Sequence, residues 1–248
     1  MALNKAKIIT VTSVKGGTGK TTTTLNIAGV LTLMKKKTLL LDLDLYSGVI
    51  GASLNIKTNT DIYTLCEDMM NNRFKQIEDY VTKYDEYLDV LSAPIDPRSV
   101  SKISTKFLDT LFRRLTLKYE VILIDTNHII DKTNLIAFDY SDYILQVMTN
   151  DLMDIKNMKT MLTIYKDMDQ TNYKIILNEA KLTNYNYTLS DVEATLEEKI
   201  DYVIPKNFYN KNIEKYIYNG QIMTLDNNVL NTKGGKTIQK LTQDLFEE

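Results

Sequence analysis

Residues 11–24 read VTSVKGGTGKTTTT, with glycines at 16, 17 and 19 followed by a lysine and a threonine. Glycines let a backbone turn its N–H groups inward, and a helix that starts there adds its partial positive charge, so the stretch suits a phosphate cradle. In such a loop Lys20 reaches the β- and γ-phosphates of a nucleoside triphosphate, and the Thr21 hydroxyl ligates Mg2+. A dinucleotide fingerprint fails, because after Gly17 and Gly19 the third glycine falls at position 22, which is Thr22. Two features depart from the standard phosphate loop: Val14 stands in place of its first glycine, and a second lysine, Lys15, precedes the glycines. Phosphoryl transfer needs positive charge on the γ-phosphate oxygens as the bond breaks, often from an arginine. Arginine occurs only at positions 73, 98, 113 and 114, so Lys15 is the local candidate for that charge.

Carboxylates complete the set. The run LLLDLD carries Asp42 and Asp44, and alternate residues of a strand point the same way, so both are expected to face one site. VILID ends in Asp125, an apolar strand delivering a single carboxylate towards a metal, often through water. His128 follows in DTNHII; a loop histidine is more often merely exposed, and it is given no catalytic part.

Short apolar runs at 8–13, 38–44, 88–93, 120–125, 143–148, 173–178 and 202–205 read as strands, most of them hydrophobic on both faces. Helical periods lie between them. Residues 21–34 place Leu25, Ala28, Leu31 and Thr32 on one face; 99–117 do so with Val100, Ile103, Phe107, Leu108, Leu111 and Leu115. Residues 152–165 align Leu152, Ile155, Met158 and Leu162, interrupted by Lys159. Alternation of this kind predicts an α/β fold: a doubly wound, mostly parallel sheet with helices on both faces, of the P-loop NTPase type, in one domain over 1–248. Ligands of such sheets sit at the carboxyl ends of the strands, where the glycine loop and the aspartates fall.

The totals exclude several classes. The formal net charge of −2 sets up no general field for nucleic acid or membrane. One cysteine, Cys66, rules out an internal disulfide framework and fits a reducing cytosol; with one histidine it is also too little for a thiolate zinc site. No run approaches the roughly 20 apolar residues of a membrane span, so a soluble cytoplasmic protein is expected.

KGGTGKTT resembles the deviant Walker A motif of the MinD/ParA family of P-loop ATPases, where a signature lysine precedes the paired glycines and the first glycine of the general pattern is often replaced. The resemblance implies ATP and Mg2+ as ligands, with ATP held by Lys15, Gly16, Gly17, Thr18, Gly19, Lys20, Thr21 and Thr22. It implies that Lys15 reaches across an ATP-dependent homodimer to the partner's phosphates, that Asp44 orients the attacking water, and that Asp42 sits in the outer Mg2+ shell. Asp125 takes the Walker B position, although the family usually has a proline soon after it. Asn178 matches the asparagine that contacts adenine, and Pro205 the loop flanking the base. Softer matches, DLDLYSGVIGASLNI, VLSAPIDPRSV and DLMDIKNMKTML, look nearest to the MinD-like branch with the CpaE/TadZ pilus-localisation proteins. The nitrogenase iron protein type, which needs two cluster-ligating cysteines per subunit, is excluded.

The implied function is a slow ATPase that acts as a dimerisation switch, waits for an activating protein partner and positions cargo. A metabolic P-loop enzyme, an ATP-dependent ligase or small-molecule kinase, is the rival reading, and a scaffold that binds nucleotide without hydrolysing it is a third. Lys206, Lys211, Lys215, Lys233, Lys236 and Lys240 stand against Glu214 and Asp226 alone within 206–240, which makes either a solvated face or a patch for non-specific DNA. Ile238, Leu241, Leu245 and Phe246 form an apolar stripe; with Glu247 and Glu248 behind it, docking on the core is expected rather than membrane targeting.

Overall fold

Strands that are apolar on both faces need helices on both sides, and these runs receive them. A computed structural model describes residues 5–179, 187–206, 208 and 213–247. In chain order the elements are β1 (Lys7–Thr12), α1 (Lys20–Leu33), β2 (Thr38–Leu43), α2 (Ile50–Ser53), α3 (Ile62–Met70), β3 (Thr82–Lys83), β4 (Leu88–Leu91), α4 (Thr105–Leu115), β5 (Val121–Thr126) and α5 (Lys132–Tyr140). There follow β6 (Tyr143–Met148), α6 (Leu152–Asp167), β7 (Tyr173–Asn178), α7 (Leu189–Leu196), β8 (Tyr202–Ile204), α8 (Ile213–Tyr218), α9 (Asn227–Leu230) and α10 (Lys233–Asp244). The strands lie in the order β3-β4-β2-β5-β1-β6-β7-β8. Every neighbouring pair is parallel except β3 with β4. This is the doubly wound α/β sheet expected, with β1 at the point where the order reverses.

Alternate residues of β1 show how the layers form. Ile9 and Val11 join Ile27 and Leu31 of α1 and Ile238 and Leu241 of α10 on one face. Ile8 joins Leu39, Leu41 and Ile122 with Leu108 and Phe112 of α4 on the other. Further along that second face, Ile144, Met148, Ile175 and Leu177 pack on Ile155 and Met158 of α6 and Val192 of α7. The C-terminal stripe docks on the core as expected, with Ile238, Leu241 and Leu245 buried. No helix among the described residues is long and apolar enough to cross a membrane.

One strand was not foreseen, and two local expectations are corrected. The antiparallel edge strand β3 pairs only Thr82 and Lys83 with β4, too short a stretch for any periodic signal. The helical period at 99–117 divides: Pro97–Lys102 form a 3-10 turn opened by the Asp96 cap, and α4 begins only after Ser104, because Ile103 is extended (φ −77°, ψ 111°). Helix α1 carries no single apolar stripe, since Thr23, Thr24 and Asn26 to Leu31 are all buried. Its far side is covered by Thr224, whose N–H and hydroxyl donate to the side-chain and backbone oxygens of Asn26 at 3.1 and 2.8 Å. Local periodicity carries no trace of a cover supplied 198 residues later.

Candidate phosphate-binding site

Between β1 and α1 the chain turns through Gly17 (φ 74°) and Gly19 (φ 92°), in the left-handed region that favours glycine. The loop's carbonyls point outward and are caught: Lys15 O by the Ser13 hydroxyl at 3.0 Å, Gly19 O by the Thr23 N–H and hydroxyl at 2.9 and 3.0 Å, and Thr18 O by the Asn178 amide at 2.7 Å. No side chain caps α1 and its first turn carries no acid. Helices α3, α5 and α6, by contrast, open on the capping aspartates Asp61, Asp131 and Asp151. An uncapped helix start behind a glycine turn suits an anion, whose oxygens accept from its N–H groups.

Asp125 lies beneath that turn, near the end of β5. Its Oδ2 accepts from the Thr21 hydroxyl at 2.6 Å, and its Oδ1 faces the Thr24 hydroxyl at 2.9 Å and Lys20 Nζ at 3.5 Å. Burial raises the pKa of Asp125, while the Lys20 ammonium, chief among the opposing influences, and the two hydroxyls favour its charged form. Thr24 escaped the sequence reading. The signal was present, because Thr21 and Thr24 stand three apart in the TTTT run and so share a helix face.

Asp42 is buried beside Asp125. Its two oxygens accept from the N–H groups of Asp44 at 3.1 Å and Ile50 at 3.2 Å, so it organises the turn into α2. Burial pushes its carboxyl up to about 8, and the Asp125 charge adds to the rise. Asp44 follows the end of β2 and is half-buried, its side chain accepting from Ser47 N–H at 3.3 Å. The strand alternation argued for the Asp42–Asp44 pair therefore stops at Leu43, and the turn sets the direction of Asp44.

Lys15 lies on the rim. Its ammonium sits 2.9 Å from Asp151, which also caps α6 by accepting from Met153 and Asp154 N–H, and its side chain is 39% exposed against 10% for Lys20. That partner was not read from the sequence, where Asp151 looks like an ordinary cap. Asn178 closes β7 and is buried; Pro205 follows β8 and is half-buried. His128 is exposed beside Gly16, where a side chain in place of the glycine would meet its ring at 3.7 Å. The loop after Asp125 lacks the family's proline and is pinned by Asn134, which donates to Asn127 Oδ1 at 3.0 Å and Ile129 O at 2.6 Å. Among the candidate lysines of 206–240, Lys206, Lys215, Lys233, Lys236 and Lys240 are exposed, and Lys211 lies outside the described residues.

The donor set fits Mg2+ bound together with phosphates. Among the described residues no group of three or more His, Cys, Asp and Glu could hold a metal unaided. One hydroxyl, Thr21, and nearby carboxylates are what a metal needs when substrate phosphates supply the remaining oxygens. The buried Thr18 hydroxyl has no hydrogen-bond partner, which marks an unmet polar group in the loop itself.

Known proteins resemble this chain in sequence and in fold. Residues 6–178 match a family model described as an AAA domain. The chromosome partitioning protein ParA of Myxococcus xanthus is 34% identical over 125 residues, covering 48% of this chain and 44% of that relative, so the match spans less than half its length. The septum site-determining protein MinD of Thermotoga maritima is 26% identical over 205 residues, 80% of this chain and 74% of that one. Among solved structures, a ParA family ATPase from Chlorobium tepidum superimposes with a TM-score of 0.83 at 21% identity, covering 96% of this chain and 98% of its own. MinD from Pyrococcus horikoshii, complexed with Mg-ADP, does so at 0.80 and 22%, covering 98% and 96%. From the deviant glycine loop, the sheet order and these relatives together, the chain belongs to the MinD/ParA family of P-loop ATPases.

Proposed function

We propose that this protein is an ATP-binding and ATP-hydrolysing dimerisation switch, a single cytoplasmic domain over 1–248, that positions cellular cargo such as pilus machinery, a division site or a replicon. The observation that carries the reading is the placement of the two lysines. Lys20 is enclosed against Asp125, whereas Lys15 sits on the rim against Asp151, where a second subunit can approach. In the ATP-bound state Lys20 turns from Asp125 to the β- and γ-phosphates, the N–H groups of residues 16–22 hold the phosphate oxygens, and Thr21 turns to the metal. Asp125 and Asp42 would hold the metal through water, and Asn178 and Pro205 would flank the adenine. Mg2+, when bound there, would supply neutralisation of the phosphate charge. Asp44 orients a water whose oxygen attacks the γ-phosphorus as the bond to the β–γ bridging oxygen breaks, giving ADP and phosphate. Each Lys15 leaves Asp151 and completes the other subunit's site; hydrolysis removes the γ-phosphate that joined them. Turnover is slow until a protein partner engages. The softer motif matches support the CpaE/TadZ side of the family as the branch proposed for this chain.

Light scattering on a sizing column, with and without Mg-ATP, tests this on Asp44→Ala and on Asp44→Ala/Lys15→Ala. An ATP-dependent dimer of the first and a monomer of the second are expected. Monomers in both, with ATP bound, would replace the switch by a metabolic ligase or kinase whose turnover depends on a soluble substrate.

One surface favours non-specific DNA as the working substrate. Lys233, Lys236 and Lys240 are exposed at i, i+3 and i+7 along α10, one face of that helix. DNA affinity that falls steeply with added salt supports the patch. Absence of binding at low salt leaves α10 a solvated face.

A further inference from the structure

A loop that turns its N–H groups inward turns its carbonyls outward, and each buried carbonyl needs a donor. Lys15 O and Gly19 O are met by Ser13 and Thr23, neighbours in the chain. Thr18 is held differently. It is 2% exposed, lies between the two left-handed glycines, and its carbonyl takes the Asn178 Nδ2–H at 2.7 Å, from a residue 160 positions away. A backbone carbonyl only accepts, so the NH2 end of Asn178 must face it. Asn178 in turn has little freedom. It is buried, it is in register with Ile204 of β8, and the next residue, Glu179, donates its N–H to Ile204 O at 2.9 Å. The end of β7 is thus locked into the sheet, and its amide is locked onto the loop.

We propose that Asn178 is a positioning residue for the phosphate loop: it fixes the Thr18 peptide so that the N–H groups around it face the phosphates, whether or not the ligand carries a base. The inference rests on reading residues 13–22 as a triphosphate cradle, and it separates from a base-contact role by a simple criterion. A base reader acts only on ligands that have a base, whereas a loop holder acts on any polyphosphate.

The probe is inorganic tripolyphosphate with Mg2+, titrated calorimetrically into the full chain and into Asn178→Asp and Asn178→Ala, beside ATP. Loss of a donor to a buried acceptor is expected to weaken tripolyphosphate about tenfold in both variants. The KM for Mg-ATP should rise by a similar factor while kcat changes little, and the melting temperature should stay high enough to show a folded chain. Unchanged tripolyphosphate binding, with ATP alone weakened, overturns the proposal and leaves Asn178 a base contact. Failure of the unmutated chain to bind either ligand overturns the cradle reading and this inference with it.

Discussion

Asp42 of β2 and Asp125 of β5 are register partners at the carboxyl edge of the sheet, and each is 1% exposed. The two carboxylates are treated unequally. Asp125 has the Lys20 ammonium and two threonine hydroxyls around it, while Asp42 has two backbone N–H donors from the following turn. Burial raises both carboxyls; at Asp42, without a cation of its own in these contacts, burial and then the neighbouring Asp125 charge push the carboxyl up to about 8, while at Asp125 the Lys20 ammonium opposes the rise.

A pH dependence follows. Between about 4 and about 8, folded Asp42 holds a proton that the unfolded chain, titrating near 3.8, has released. The folded state then binds more protons than the unfolded one, so stability of the ligand-free protein declines as pH rises through that window. Asp42→Asn is expected to flatten the decline, as read from thermal melts of both proteins across the same range.

Thr24 is expected to matter beyond its size. In the proposed ATP-bound state, where Lys20 and Thr21 turn to phosphate and metal, Thr24 would be the hydroxyl left on Asp125, which it already meets at 2.9 Å. Thr24→Val keeps the shape and removes the hydroxyl from a fully buried site, which costs about 1–3 kcal/mol. Urea unfolding should show that loss, and Thr24→Ser should recover most of it.

Cys66 is buried on α3, and burial pushes its thiol up to about 12. Almost none of it is thiolate near neutral pH, so a thiol-alkylating reagent should leave the native chain unmodified and label it fully in denaturant. Mass spectrometry of the intact protein reads both states. Fast labelling of the folded protein would show that α3 opens.

What could be read from the residues alone was local. The glycine spacing, the Lys20–Thr21 pair and the apolar runs ending in aspartate are short-range patterns with a physical cause each, and they were enough for the glycine turn, the parallel strands and the family. The 3-10 turn at Pro97–Lys102 and the edge strand β3 were missed because a period needs several residues to declare itself. The stripe expected on α1 was wrong because coverage depends on what the rest of the chain lays against a helix.

The tertiary structure decided the pairings. Nothing in the sequence says that Asn178 meets Thr18, that Asp151 meets Lys15, or that Asp42 and Asp125 share a register, because these contacts span 83 to 160 positions and depend on strand order. Residue type sets what a side chain can do chemically; the order of strands in the sheet sets which other side chain it does it with. In this protein the sequence by itself determined the glycine-loop pattern and the family it belongs to, and the fold decided which residues hold the loop, the rim lysine and the two aspartates in place.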